Sequence, residues 1–202
     1  MIPRAGLAAI LATIAAAMAA TFASPIAASL ARGPDDPSLR NSDVERHRAS
    51  SEPLGCAALE DVSARSNPVD LFLASRGCLD AGDAVKARDL LLLGGVRGRF
   101  DTRRVVDRTA WPAVIAAQRE IFGPLDDDAS ALLTGAMARL ESPSAMKAMC
   151  GRMIALGAPT YFPAYMIAHG RDAAAGRKGL DALVPQFRAE EAWPRGRGLF
   201  RV

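Results

Sequence analysis

NPVDLFLASRGCLDAGDAVKARDLLLLGG, residues 67–95, carries the strongest local folding signals of the chain. Asn67 followed by Pro68 reads as an N-cap and a first helical residue: the amide accepts from free N–H groups of the first turn, where proline has none to lose. From Pro68 to about Ala81 the spacing puts Leu71, Ala74, Ser75 and Cys78 on one helical face. Gly82 ends that helix and Asp83 caps the next. The second helix is predicted over Ala84–Leu93, with Ala87, Leu90, Leu91 and Gly94 inward and Lys86, Arg88 and Asp89 outward. Gly94-Gly95-Val96-Arg97-Gly98-Arg99 then reads as a flexible connection. The unit is an α-hairpin.

A small residue inside the first helix (Ser75), the Gly82-Asp83 turn and Ala87, five residues after that glycine, resemble one tetratricopeptide or Sel1-type helical repeat. The resemblance covers residues 67–97, and no second copy follows at the expected period. It implies two closely apposed antiparallel helices.

Outward from the hairpin, Ala, Leu, Arg and Glu dominate the 202 residues. Val, Ile, Thr and aromatics are sparse, and no period-2 alternation emerges. The expected fold is all-α, a single domain of about six or seven short helices in antiparallel hairpins. Further helices are predicted over Ala57–Arg65, from Asp101 or Thr102 to Arg108, over Ala113–Phe122, Ala129–Leu140, Pro143–Leu156 and Thr160–Ala168, and over Asp172–Arg188. Met146, Met149, Cys150 and Met153 form a core-type stripe. The domain spans 56–188, and 189–202 reads as a loose tail.

Upstream, Arg4 precedes an uncharged apolar run from Ala5 to Ala31, the pattern of a secretory signal peptide over residues 1–31. Cleavage fits best after Ala23, with Ala31 as second choice. The run is also long enough for an uncleaved anchor, since about 20 apolar residues span a bilayer. Residues 32–55, rich in Pro, Ser, Asp and Arg, read as a disordered linker holding His47. The chain is therefore expected in the periplasm or secreted, membrane-bound only if the leader stays. Of Cys56, Cys78 and Cys150, two are expected to pair there. Cys56–Cys78 is favoured because it ties down the segment before the first strong helix; Cys78–Cys150 is the rival.

Chemistry is thinly signalled. The net charge is +3 with no run of cations, which argues against nucleic acid. No GxSxG, HExxH, phosphate-binding glycine loop or CxxC occurs. Asp126-Asp127-Asp128 reads as helix capping rather than as metal ligands, and no cofactor is called for. Two clusters remain. Arg103, Arg104, Asp107 and Arg108, with i,i+4 pairs on a helix and Trp111 beside them, form a charged patch with a hydrophobic anchor. Tyr161, Tyr165 and His169, spaced i, i+4, i+8, form an aromatic ridge on one helical face. The sequence thus points to an exported interaction module, such as a scaffold, an accessory factor or a toxin-immunity protein, with an unidentified protein partner and no catalytic residues. The alternative is a small-ligand binder or enzyme using the Tyr161/Tyr165/His169 ridge.

Overall fold

A computed structural model describes residues 52–123, 125–177 and 179–195. The expected signal peptide, His47 and linker residues 32–51 lie outside these residues, as does the tail beyond 195. Eight α-helices occur among them: α1 Pro68–Asp80, α2 Ala84–Arg104, α3 Ala113–Phe122, α4 Asp127–Ala138, α5 Pro143–Ala155, α6 Ala164–Ile167, α7 Arg171–Ala174 and α8 Ala189–Arg195. The described residues contain no strand, only a single antiparallel bridge between Val105 and Leu183. The all-α expectation holds.

Helix α1 starts as its sequence dictates. The Asn67 side chain accepts from Val69 N at 2.7 Å and Asp70 N at 3.1 Å, while the Asp70 carboxylate accepts from Asn67 N at 2.8 Å. Asp83 caps α2 through Lys86 N. Ser75 Oγ donates to Ala87 O at 2.5 Å, Phe72 lies against Gly94, and Arg97 reaches back to Ser66 O. These pairs run in opposite directions along the chain, so α1 and α2 are antiparallel.

Helix α2 corrects the sequence reading most. Residues 94–99 are not a connection, and no separate helix begins at Asp101. One helix of 21 residues continues to Arg104. Glycine inside a helix costs about 1 kcal/mol relative to alanine, and here close packing takes precedence. A Cβ on Gly94 would sit 2.5 Å from Phe72 Cε1, and one on Gly98 would collide with the methyls of Val114. The two glycines, one turn apart, let α1 and α3 approach the same helix.

Arg88 and Asp89 also depart from expectation, both being buried. Arg88 donates through Nε to Asp89 at 2.8 Å and through Nη1 to Ala136 O at 3.2 Å. Arg152 spans Asp89 Oδ2 and Glu60. This network adds polar ties from α4 and α5 to α2 beside their apolar packing.

The core falls into two clusters that share the α1–α2 pair. One joins Leu71, Ala74 and Cys78 to Leu90, Leu93 and Phe100, then to Met149 and Met153 of α5. The other joins Val69 and Phe72 to Val114 and Ala117 of α3 and to Tyr165 and Met166 of α6. With apolar residues on two faces, α1 is central. Each fully buried leucine contributes about 2 kcal/mol.

Three further expectations are corrected. Residues 57–65 contain only a 3₁₀ turn at Leu59–Asp61, because the carbonyls of Ser63 and Ser66 accept from Arg97 and that of Ala64 from Thr160 N. Residues 172–188 form no single helix: α7 is short, a 3₁₀ turn spans Gly179–Ala182, and Leu183 joins the bridge before Pro185. The tail is not loose at its start, since Trp193 of α8 is buried edge-on to Phe100 at 5.6 Å.

Cys56 and Cys78 form a disulfide, with their Cα atoms 4.7 Å apart, and Cys150 is free. The bridge fastens the residues before α1 onto its last turn. The end of the expected linker is held as well: Glu52 N donates to Asp70 Oδ1 at 3.1 Å, and Arg65 pairs with Glu52.

Candidate functional site

Two places collect the residues singled out from sequence. The first lies around Asp101, on the inner face of the last turn of α2 and wholly buried. Tyr161 and Tyr165 each donate their hydroxyl to its Oδ2 at 2.8 Å. Arg104 Nε donates to Oδ1 at 2.8 Å, and Nη2 lies 2.7 Å from the same oxygen but off the hydrogen-bonding direction. The Arg104 guanidinium also stacks over the Tyr161 ring, 4.8 Å from its centroid, and over Phe100 at 5.2 Å.

The electrostatics follow from burial. Burial pushes the Asp101 carboxyl above the ordinary carboxylate range, against the pull of Arg104 and of the two tyrosine hydrogen bonds. Burial, and then the Asp101 charge, drive both phenols well above their usual values. They stay protonated, as donors. Arg97, one turn back on α2, is lowered by burial, with Tyr161, Asp101 and Asp70 opposing. Its Nη1 donates to Ser63 O at 2.9 Å and Ser66 O at 2.5 Å.

This arrangement corrects the predicted ridge. The helix there is only Ala164–Ile167, because Pro163 has no N–H for a helix arriving from Thr160. Tyr161 precedes it in irregular chain, Tyr165 lies inside it, and their hydroxyls converge inward on one carboxylate. His169 follows α6, half-buried, with its N–H bonded to Met166 O. The donors of Asp101 are Tyr161, Tyr165 and Arg104.

The second place is the corner after α2. Arg104 ends the helix because Val105 turns extended, with Val106 N donating to Ala182 O and Val184 N to Arg104 O. The predicted helical pairs Arg103–Asp107 and Arg104–Arg108 therefore do not exist. Arg104 points inward to Asp101, while Arg103 and Arg108 are exposed. Asp107 caps the 3₁₀ turn Arg108–Ala110, its Oδ1 accepting from Thr109 N and Oγ1 and its Oδ2 from Asp172 N. Burial raises its carboxyl, but these bonds and the Arg171 charge outweigh it and hold the group below the usual range.

Trp111 lies half-buried at this corner, its Nε1 donating to Val105 O at 3.3 Å. The Arg108 guanidinium covers its ring, 5.5 Å from the centroid. Around the bridge, Val106, Leu180 and Val184 are left exposed, Leu180 by 80%. Sequence reasoning did not find these three. Their place depends on a pairing between residues 105 and 183 that no local pattern announces.

Asp126 acts as an N-cap, accepting from Ala129 N at 2.7 Å. Among the described residues no group of three His, Cys, Asp or Glu side chains is arranged to hold a metal ion. Among them, too, no helix is long and apolar enough to cross a membrane. Comparison with protein-family models, with curated proteins and with solved structures gives no match.

Proposed function

We propose that this chain is an exported helical interaction module that acts in the periplasm by binding another protein rather than by catalysis. The observation that carries this reading is the corner around Trp111. There the Arg108 guanidinium lies over the half-buried Trp111 ring, whose Nε1 donates to Val105 O, and the next residue, Val106, is exposed. Tryptophan and arginine are among the side chains most enriched where binding energy concentrates, so a stacked, partly exposed Arg108–Trp111 pair favours a docking face. Both tyrosine hydroxyls are engaged by Asp101, which favours this reading over the ligand-binding or enzymatic alternative. Export rests on the leader, Met1 to Ala31, and the disulfide accords with an oxidising compartment.

The test is affinity purification of the tagged, natively exported chain from the periplasmic fraction, with mass spectrometry of the intact protein. A mature chain beginning at Ser24, with a stoichiometric partner that is lost from Trp111→Ala, is the expected result. A clean monomer without partner would overturn the interaction reading. An intact leader in the membrane fraction would overturn the cleaved export signal.

A further inference from the structure

We propose that a single internal water molecule binds between Arg97 and Asp101 and makes of them a water-bridged ion pair inside the core. Arg97 is fully buried. Among the described residues no carboxylate lies within ion-pair distance of it, and the ion pair of Asp101 is with Arg104. Arg97 Nη1 is used, donating to the carbonyls of Ser63 and Ser66. Its Nε and Nη2, which together form one two-donor edge of the planar group, have no partner in the protein. Leaving a buried, charged donor unpaired costs more than immobilising one water.

Asp101 supplies the acceptor. It stands one turn further along α2, also fully buried, and its charge acts on Arg97. Its Oδ2 accepts from two tyrosine hydroxyls, whereas its Oδ1 accepts only from Arg104 Nε. A carboxylate offers about four acceptor sites, so Oδ1 keeps one for a further donor. A water can accept from the Arg97 edge and donate to that oxygen. Ser66, whose carbonyl Arg97 already holds, has a buried hydroxyl without a partner and offers the water a third bond. Buried waters typically make about three such bonds. The occupant is neutral, because an anion seated there would face the Asp101 charge. The water completes a chain of polar contacts from the carbonyls of Ser63 and Ser66, through Arg97 and Asp101, to Tyr161 and Tyr165. The segment before α1 is thereby coupled to α6 through the interior of the domain.

The test is a crystal structure of the natively exported chain at a resolution that shows ordered water, from crystals grown once in sodium chloride and once in sodium bromide. The expected result is a density peak about 2.7–3.2 Å from Arg97 Nε or Nη2 and from an Asp101 oxygen, unchanged in bromide. An anomalous bromide signal at that place would make the occupant an anion and overturn the proposal. A dry guanidinium edge, an edge set directly on Asp101, or a water that does not reach Asp101 would overturn it too. In solution, magnetic relaxation dispersion of the water oxygen counts long-held internal waters. Arg97→Met should hold one fewer than the wild-type chain, and an equal count would contradict the bridge. If far-UV circular dichroism shows that this variant does not fold, the two crystals decide without it.

Discussion

Tyr165 donates its phenolic hydroxyl to Asp101 across 64 residues of sequence, at 2.8 Å from the carboxylate oxygen that Tyr161 also uses. The carboxylate thereby fixes α6 and the irregular chain before it onto α2. A hydrogen bond to a charged group is worth about 1.5–3 kcal/mol. Tyr165→Phe should lose stability in that range in urea denaturation. Asp101→Ala should cost about 3–5 kcal/mol, because it leaves a buried arginine without its counter-ion. The double variant Tyr161→Phe/Tyr165→Phe is expected to be non-additive, since both hydroxyls share one acceptor.

The raised Asp101 carboxyl sets the sign of a pH effect. A carboxyl that binds its proton more tightly in the folded state adds stability below its unfolded value, near 3.8. That contribution is lost as pH rises through the folded value. The wild-type chain should therefore lose stability relative to Asp101→Asn as pH is raised from below that window. The opposite slope in paired melting curves would mean that Arg104 outweighs burial.

Glycines of α2 should respond to alanine with opposite signs. Gly95 has open space where a Cβ would stand, so Gly95→Ala should stabilise by about 0.5–1 kcal/mol through helix propensity. Gly94→Ala meets Phe72 and Gly98→Ala meets Val114, and overpacking of this kind costs about 1–3 kcal/mol. Thermal melts of the three single variants read the contrast directly.

The Cys56–Cys78 bridge closes a sequence separation of 22 residues. Loops of that size lose about 3 kcal/mol of stability when opened. Cys56→Ser/Cys78→Ser should show that loss without reductant. Thiol titration of the unfolded wild-type chain should find Cys150 alone. Burial raises the Cys150 thiol, so it should react slowly in the native protein.

Trp193 tests whether α8 belongs to the domain. Its indole packs against Phe100, which also meets Phe187 at 5.4 Å. Trp193→Ala should cost about 3–5 kcal/mol, as for other buried large aromatics. A change within experimental error in the urea midpoint would return residues 189–195 to the status of a dispensable tail.

What was legible in the sequence was what local chemistry decides. Asn67-Pro68, Asp83 and Asp126 start helices as read, the helix expected from Pro143 begins there, and Ala113–Phe122 is helical over the expected span. What failed depended on distant partners. Gly94 and Gly98 read as breakers because Phe72 and Val114 cannot be seen from residue 94 or 98. Arg97 reads from sequence as part of a flexible connection and Asp101 as the start of a separate helix, whereas both are buried on α2. Extending the helical period through the glycines would have aligned Leu90, Gly94, Arg97, Asp101 and Arg104 on one face, the one signal that pointed inward. The tyrosines were noticed, but their acceptor is 60 and 64 residues away.

Helix α4 buries only Ala136 among its described side chains, and α5 only Met149 and Met153. Helices α1 and α2 bury most of theirs. Opening free energy follows buried contact, so the chain has a gradient of protection against deuterium. Amides of α4 should exchange through local excursions that leave the rest of the domain closed. Those at the centres of α1 and α2 should exchange only when the whole molecule unfolds.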